Sequence, residues 1–301
     1  MSGQTERLDK LARKPASQST RQVPTTGHEW DGLQELNRPL PRWWLWLFYA
    51  TIVWSVGYWL VYPAWPLLSS YSNGIFKWHS RAAVSSDLAV LQTQRGAMTT
   101  RLAATSLAEI ESTPEMLDFA RALGGRAFAD NCAPCHGAGG GGAKGYPKLV
   151  DNDWLWGGSL DAISQTITHG VRSGDEQGHQ GSMPAFGRDG MLKRDEVLVV
   201  AEYVRSLSGL STTAGADLAR GAKIFADNCA VCHGPDGKGN RALGAPNLTD
   251  QIWLYGSDTQ AIIEGIWNGH GGVMPAWGGK LDPVTIKALT VYVHTFGGGE
   301  Q

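Results

Sequence analysis

The chain has 301 residues, of which 42% are apolar, and this is enough for about two domains with packed cores. The composition excludes a fibrous or wholly disordered protein. The formal net charge of −2 divides unevenly, since residues 1–110 carry 11 basic and 7 acidic side chains and residues 111–301 carry 15 and 21. An acidic second part argues against a nucleic acid partner. It suits either steered encounters with a basic protein or an ordinary soluble surface.

The first predicted element is a single membrane span. The 20 residues from Trp43 to Tyr62 are uncharged and predominantly apolar. A helix of this length extends over about 30 Å, which matches the hydrocarbon core of a bilayer. Tryptophan and tyrosine side chains lie at both ends of the stretch, and Pro63 and Pro66 are expected to end the helix. We predict a transmembrane helix over 43–66, with a buried core helix and a cleaved signal peptide as the alternatives.

Residues 67–112 are predicted to form a helical stalk. Between residues 80 and 112 the only Gly or Pro is Gly96. One helix face carries a stripe with alternating spacings of four and three, formed by Val84, Leu88, Leu91, Arg95, Met98 and Leu102. This stripe either packs on the chain's own globular part or docks on a partner subunit.

Beyond residue 112 the sequence repeats itself. The segment FADNCAPCHG at 128–137 recurs as FADNCAVCHG at 225–234. Later echoes follow in the same order: WLWG at 154–157 and WLYG at 253–256, MPAF at 183–186 and MPAW at 274–277, and Tyr203-Val204 and Tyr292-Val293. We therefore predict an all-α fold in which the span is followed by two tandem copies of one helical module, 113–208 and 209–301. Each module is expected to have an opening helix, a Gly-rich loop, a middle helix, a Met-Pro loop and a closing helix.

Local sequence also marks the ends of the copies. Asp282 and Pro283 predict the N-cap and the first residue of the last helix. Thr113 and Pro114 carry the same signal at the entry to the first copy. Residues 208–216 are small and polar, and they predict a linker.

Each copy contains Cys-x-x-Cys-His, the attachment signature of c-type haem. The thiols bond to the porphyrin edge, and the adjacent histidine is thereby placed to ligate iron. All four cysteines of the chain belong to these motifs, which are Cys132, Cys135 and His136 in the first copy and Cys229, Cys232 and His233 in the second. We predict two covalent haem c groups, and the two modules are then tandem cytochrome c-like haem domains. A zinc site, a thioredoxin-like redox pair and simple disulfides are the alternatives, and the repeat and the lack of strand-like runs disfavour them.

A methionine is the expected sixth ligand of each iron. Met274 is the only methionine after the second motif, and its counterpart is Met183, which makes Met191 the weaker candidate. Methionine opposite histidine raises the potential and closes the coordination sphere, which suits electron transfer. Sequence order pairs Met183 with the first haem and Met274 with the second, but a crossed arrangement stays open. The rival ligands are His169, His179, His270 and His294.

The orientation of the span follows from the haem motifs. Arg38 and Arg42 before the span are matched by Lys77 and Arg81 after it. The leader, residues 1–42, holds seven Lys or Arg, which favours a cytoplasmic N-terminus. Covalent haem attachment is completed on the outer side of the bacterial membrane. We therefore expect an inner-membrane protein with a cytoplasmic leader and periplasmic haem domains.

In the order of its parts the chain resembles the diheme CcoP (FixP) subunit of cbb3-type cytochrome c oxidases, from about residue 28 onward. The resemblance implies a non-catalytic subunit that accepts electrons from a donor cytochrome c. It passes them to the monohaem and catalytic subunits, where oxygen is reduced with proton pumping. Some family members have a second span near the N-terminus, and residues 1–42 offer none. A haem subunit of a periplasmic dehydrogenase and a haem-based sensor are the alternatives.

Overall fold

A computed structural model describes residues 23–298 and residue 300. The chain divides into two compact units, one ending at Ala89 and the other beginning at Val90. The strands are β1 (Thr25–Trp30) and β2 (Leu33–Leu36). The helices are α1 (Arg42–Val61), α2 (Ser80–Ala104), α3 (Leu107–Ser112), α4 (Pro114–Asn131), α5 (Ala133–His136), α6 (Leu160–His169), α7 (Arg194–Leu207), α8 (Leu218–Asn228), α9 (Ala230–His233), α10 (Thr259–Asn268) and α11 (Pro283–His294).

A short hairpin in the leader departs from the all-α expectation. Strands β1 and β2 pair antiparallel, and all their side chains are exposed. Asp31 and Gly32 connect them with φ values of +50° and +83°. A two-residue Asp-Gly loop with both φ values positive favours the twist of a hairpin. The predicted leader therefore contains a two-stranded sheet after residue 24, while its residues 1–22 lie outside the described part.

Helix α1 is the predicted apolar helix. Among the described residues it is the one helix long and apolar enough to cross a membrane. None of its side chains is buried by the rest of the described chain. It ends at Val61, directly before Tyr62 and Pro63, because proline cannot continue a helix at that point. The remainder of the predicted span, residues 62–66, has no helix.

The stalk consists of two helices, α2 and α3, where one was expected over 80–112. The break is local, since the Ser106 side chain accepts a hydrogen bond from the Glu109 N–H at 3.3 Å and so begins a new helix. At the C-terminal end of the stripe Leu102 is fully buried with residues of α3, α4 and α11, whereas Val84 and Leu88 are exposed. The end of the stalk thus packs on the globular part. Docking of the exposed end on a partner stays a prediction.

Lys287 of α11 fixes the C-terminal end of α2. Its Nζ donates to the carbonyl oxygens of Leu102, Ala103 and Thr105 at 3.3, 2.7 and 2.7 Å. The last carbonyls of a helix have no partner within the helix, and a cation there also complements the helix dipole. This contact joins the stalk to the last helix of the chain.

The helices of each copy occur in the predicted order, with α4, α6 and α7 in the first and α8, α10 and α11 in the second. Asp282 is the N-cap of α11 as predicted, and its Oδ1 accepts from Val284 N–H at 3.1 Å and Thr285 N–H at 3.0 Å. Helix α4 begins at Pro114, but the side chain of Thr113 makes no capping hydrogen bond.

The closing helices are exchanged between the two copies. Helix α11 of the second copy packs on α4 and α6 of the first, and α7 of the first packs on α8 and α10 of the second. Each packed group of helices therefore takes its closing helix from the other copy. The ranges 113–208 and 209–301 describe the sequence copies, and as domain boundaries they stay predictions.

The two exchanged interfaces use corresponding residues. A Cβ atom added to Gly124 of α4 would lie 2.3 Å from the Ala288 carbonyl oxygen of α11. One added to Gly221 of α8 would lie 2.8 Å from the Val199 carbonyl oxygen of α7. One aromatic pair follows each glycine, Phe128 with Tyr292 at 5.6 Å and Phe225 with Tyr203 at 5.5 Å between ring centroids. Glycine allows each helix pair to approach closely, so both interfaces exclude a side chain at the same position.

The predicted linker is held to α7 by a buried carboxylate. Residues 208–216 contain no helix. Glu202 of α7 accepts hydrogen bonds from the Thr213 N–H at 3.0 Å and from the Thr213 hydroxyl at 2.7 Å. These bonds satisfy the carboxylate and fix the path of the chain from α7 to α8.

Candidate functional site

Both Cys-x-x-Cys-His motifs have the same local structure. Cys132 and Cys229 directly follow the last residues of α4 and α8, and each motif then forms a single helical turn, α5 or α9. A glycine with positive φ ends each turn, Gly137 at +79° and Gly234 at +78°. The copies therefore present their two cysteines and one histidine in the same local geometry.

The tautomer of each motif histidine is set by a proline carbonyl. His136 Nδ1 lies 2.9 Å from the Pro147 carbonyl oxygen, and His233 Nδ1 lies 3.0 Å from that of Pro246. A carbonyl oxygen only accepts, so Nδ1 carries the proton and Nε2 keeps its lone pair for a metal. Burial lowers the pKa of His233, against the opposing effect of its bond to Pro246. Burial thus favours the neutral imidazole of His233, and the hydrogen bond at Nδ1 leaves Nε2 free in both histidines.

The first cysteine of each motif is a protonated thiol in the free polypeptide. Burial, followed by the neighbouring Cys135, raises the pKa of Cys132 to about 11. Burial and Cys232 raise the pKa of Cys229 to about 11 in the same way. A reactive redox pair or a thiolate metal site needs a lowered thiol pKa. The described residues also contain no cluster of three or more His, Cys, Asp or Glu suited to a metal ion.

The second motif opens into a cavity of about 770 Å³, within the usual range for ligand pockets. Cys229, Cys232 and His233 line it, together with Met183 from the first copy. Met183 also packs against the core that contains Cys229 and Phe225. The methionine of the first copy thus lies at the motif of the second.

The first motif has the complementary arrangement. Cys132 and Met274 pack against one core, which contains Phe128, Ile163 and Leu289. Ile163 belongs to the first copy, whereas Leu289 and Met274 belong to the second. Each motif therefore packs with the methionine and the closing helix of the other copy.

Two backbone pairings hold the exchanged methionines. Met274 and Val171 exchange hydrogen bonds of 3.0 and 2.9 Å, and Met183 and His270 exchange bonds of 2.9 and 3.1 Å. Val171 and His270 each follow the glycine after a middle helix. Both pairs are antiparallel bridges, in which directly opposite side chains lie on the same face. Each methionine is thus fixed by the middle helix of the copy whose motif it approaches.

The predicted rival ligands have other contacts. His169 Nδ1 pairs with Asp175 at 2.9 Å, and His294 Nδ1 lies 2.6 Å from Glu111. His179 Nε2 lies 3.0 Å from the Thr166 hydroxyl, and its ring stacks on Trp156. His270 lines the cavity of the second motif, with its ring stacked on Tyr255 at 3.6 Å between centroids. The side chain of Met191 is 47% exposed, which leaves it outside both cores.

Charged side chains also line the cavity of the second motif. Burial, followed by the carboxylates of Asp250 and Asp151, raises the pKa of Asp153 to about 6. Burial lowers the pKa of Arg172. Both lie in the wall of the cavity, in segments of the first copy. The two charges therefore border a site whose cysteines belong to the second copy.

Three features of the sites were missed in the sequence. The carbonyl partners Pro147 and Pro246, and the glycines Gly170 and Gly269, each recur at an offset of 99, so a longer comparison of the copies would find them. A Cβ on Gly170 would lie 2.4 Å from the Met274 carbonyl oxygen, and one on Gly269 would lie 2.4 Å from that of Met183. Arg172 has no such signal, since glycine occupies its place in the second copy.

Comparisons with known proteins cover the whole architecture. Three family models match: the N-terminal domain of the cbb3 cytochrome oxidase protein FixP over residues 22–69, cytochrome c over 122–208, and subunit III of cbb3-type cytochrome c oxidase over 216–293. The chain is 62% identical over 276 residues to the cbb3-type oxidase subunit FixP of Azorhizobium caulinodans, covering 92% of this chain and 94% of that one. It is 46% identical over 291 residues to CcoP of Cereibacter sphaeroides, covering 96% and 100%.

The chain belongs to the FixP/CcoP family. The resemblance seen in the sequence is thereby confirmed, and so are the cytochrome c domains and the two covalently bound haem c groups. The apolar helix α1 and the match to the N-terminal domain of FixP make this chain a membrane-anchored protein.

The residues at the second motif fit a haem. The Trp253 Nε1–H is buried in the cavity wall and has no acceptor among the described residues. A buried donor without a partner is costly, and a haem carboxylate would satisfy it. Its counterpart, Trp154, donates to the Gly298 carbonyl oxygen. The cavity also presents two thiols from one motif, an imidazole with a free Nε2 and a thioether. This donor set suits haem c.

The contact between Gly269 and Met183 gives a test of the backbone pairing. Gly269→Ala and Gly190→Ala both place alanine at positive φ, +69° and +73°, at a cost of about 1 kcal/mol each. Only the first adds an atom against the Met183 carbonyl, since a Cβ on Gly190 meets open space. We expect faster amide hydrogen exchange at Met183 and His270 in Gly269→Ala, and no change there in Gly190→Ala. Equal exchange in the two variants would contradict the close contact.

Proposed function

We propose that this chain is the electron-input relay of a cbb3-type oxidase. It accepts electrons from a donor cytochrome c and passes them to the monohaem and catalytic subunits, where oxygen is reduced with proton pumping. The observation that carries the proposal is that two haem c motifs share one compact unit, in a chain of the FixP/CcoP family that also contains the apolar helix α1. The chain itself is a conductor of electrons and not the catalyst of oxygen reduction.

The haem-binding residues have distinct tasks. Cys132 and Cys135 would attach one haem, and Cys229 and Cys232 the other. His136 and His233 would be the proximal ligands, and the bonds to Pro147 and Pro246 hold their rings with Nε2 free. Bound haem c supplies reversible one-electron chemistry between ferrous and ferric iron. The polypeptide supplies the position, the axial ligands and the exclusion of water.

The distal ligands are crossed in this proposal. Met183 would serve the haem of Cys229, because it lines the cavity of that motif and packs against its core. Met274 would serve the haem of Cys132, because both residues pack against the same core. Sequence order alone pairs them the other way. A thioether opposite an imidazole raises the potential and leaves no open coordination position, which suits an electron carrier.

The proximity of the two sites supports a relay. Pro147, whose carbonyl oxygen holds the His136 ring, lines the cavity of the second motif, and so does Lys148. The N–H of Gly145, in the same loop, donates to the Leu254 carbonyl oxygen at 2.9 Å. The wall of one site is therefore shared with the loop that positions the proximal histidine of the other. Such a shared wall favours electron transfer between them.

The proposed orientation in the membrane and the proposed electron donor rest mainly on the distribution of charge along the chain. The seven Lys or Arg of residues 1–42 favour a cytoplasmic N-terminus, and haem attachment favours a periplasmic location for the motifs. Residues 111–301 carry 15 basic and 21 acidic side chains. An acidic electron-receiving part attracts a basic donor cytochrome c over about a Debye length, roughly 8 Å at physiological salt.

Methionine variants test the crossed ligands. In a chain whose first attachment site is removed by Cys132→Ser and Cys135→Ser, only the second haem remains. Adding Met183→Ala is expected to abolish the methionine-to-iron charge-transfer band of that haem and to lower its potential. Met274→Ala in the same background is the matched control and should leave the band intact.

The reciprocal background, Cys229→Ser with Cys232→Ser, should reverse the two results. If Met274→Ala instead removes the band of the haem at Cys229, the ligands follow sequence order and the crossed assignment is wrong. If neither substitution changes either band, neither Met183 nor Met274 is a sixth ligand.

Purification tests the relay. The tagged chain, extracted in mild detergent, should bring with it a haem–copper oxidase that oxidises a basic cytochrome c. The rate should fall steeply as ionic strength rises, because salt screens the steering between the surfaces. Oxidation of a small neutral reductant by the same complex serves as the control and should change little.

Two outcomes would contradict this function. Co-purification with a flavin or quinoprotein dehydrogenase, without oxidase activity, would assign the chain to a different electron-transfer complex. Equal salt dependence for the cytochrome and for the neutral reductant would show that charge does not guide the donor.

A further inference from the structure

Arg172 lies between the two methionine segments. Its Nε donates to the Gly272 carbonyl oxygen at 2.6 Å, and its Nη1 donates to the Gly181 carbonyl oxygen. Gly181 precedes Met183 by two residues, and Gly272 precedes Met274 by two residues. One guanidinium thus contacts the backbone two residues before each methionine.

The backbone of Arg172 adds to this position. Arg172 directly follows Val171, which is paired with Met274, and its own N–H donates to the His179 carbonyl oxygen at 2.6 Å. Its φ of +50° lies in the left-handed region, which is unfavourable for a residue with a side chain. Such strain persists only where the surroundings impose it, and it points to a role for the side chain.

The hydrogen bonds that the Arg172 guanidinium makes within the described part of the chain go to carbonyl oxygens. The guanidinium forms no ion pair with a carboxylate of the described residues, and burial lowers its pKa. The fork has five N–H donors, of which two go to the carbonyl oxygens above. A planar fork can reach two acceptors at once, whereas a lysine ammonium is a compact point charge. The position therefore uses a property that arginine alone provides.

We propose that Arg172 is a positioning residue that clamps both methionine segments and so couples the two haem sites. It lies in the first copy only, since its counterpart is Gly271, and a single side chain serves both sites. The proposal rests on the crossed methionine ligands proposed above. Loss of the clamp would loosen the backbone at Gly181 and Gly272 together and weaken both methionine–iron bonds.

Three variants of the full-length diheme chain test this clamp. Arg172→Gln removes the charge and the fork, and Arg172→Lys keeps the charge but not the fork. The matched control is Arg205→Gln, because Arg205 also donates to two loop carbonyl oxygens, those of Ser211 and Ser257, and lies outside the cavity wall. The readouts are the methionine charge-transfer bands, the two midpoint potentials and the haem content per chain.

Both Arg172 variants are expected to weaken both bands and lower both potentials at a haem content of two per chain. Arg205→Gln should change neither band. A change confined to one haem would overturn the clamp, and so would full rescue by lysine or unchanged bands in both variants. If Arg172→Gln does not accumulate, Arg172→Lys decides alone.

Hydrogen exchange keeps this test separate from the ligand assignment. If the methionine variants show that neither Met183 nor Met274 is a ligand, the bands carry no information on Arg172. The clamp still predicts faster amide exchange at both Met183 and Met274 in Arg172→Lys than in Arg205→Gln. Unchanged exchange at these amides would overturn it.

Discussion

The central constraint in this protein is the pairing of each methionine segment with the middle-helix end of the other copy. Two backbone hydrogen bonds join Met274 to Val171, and two join Met183 to His270. Gly170 and Gly269, one residue earlier, leave no room for a side chain against the methionine carbonyls. The position of each methionine and the shared wall of the second cavity depend on these contacts. A substitution in the methionine segment of one copy is therefore expected to affect the haem site of the other copy.

The exchange of closing helices has a simple origin in chain connectivity. Both copies offer the same interface, a glycine and a phenylalanine on the opening helix against a tyrosine on the closing helix. The packing energy is thus similar for either pairing. A short connection favours packing of consecutive helices, and only the stretch between Leu207 and Leu218 separates α7 from α8. Once α7 covers α8, the partner left for α11 is α4.

The sequence is most informative where a single residue type decides the structure. The apolar helix and the Asp282 cap depend on local chemistry and were predicted correctly, although α1 ends at Val61, before Pro63, and not at residue 66. The haem motifs belong to the same class, because two thiols and a histidine at fixed spacing have few other uses. The Asp31-Gly32 turn is equally local, and its hairpin signal was overlooked.

The exchange and Arg172 are of a different kind. A repeat shows that two interfaces are alike, but it does not show which copy supplies each half. The two bonds of Arg172 join residues about ten and one hundred positions away in sequence. Its role therefore depends on tertiary contacts, and no repeat or motif in the sequence predicts it.

Because the closing helices and methionine segments are exchanged, the two haem sites belong to one packed unit, and this matters for electron transfer. Separate modules would change their distance with every motion of a linker, whereas here the loop that holds His136 also forms part of the wall of the other site. A fixed separation suits a relay that receives an electron at one haem and delivers it from the other.

Cleavage of the linker tests this account most directly. A protease site inserted after Gly215, which lies in open space beyond the Thr213 bonds to Glu202, would divide the holoprotein between α7 and α8 after folding. The exchanged structure predicts that the two fragments stay associated, with both methionine–iron bands intact, and that forced separation abolishes both bands. Fragments that separate freely, each with one haem and its methionine band, would contradict it.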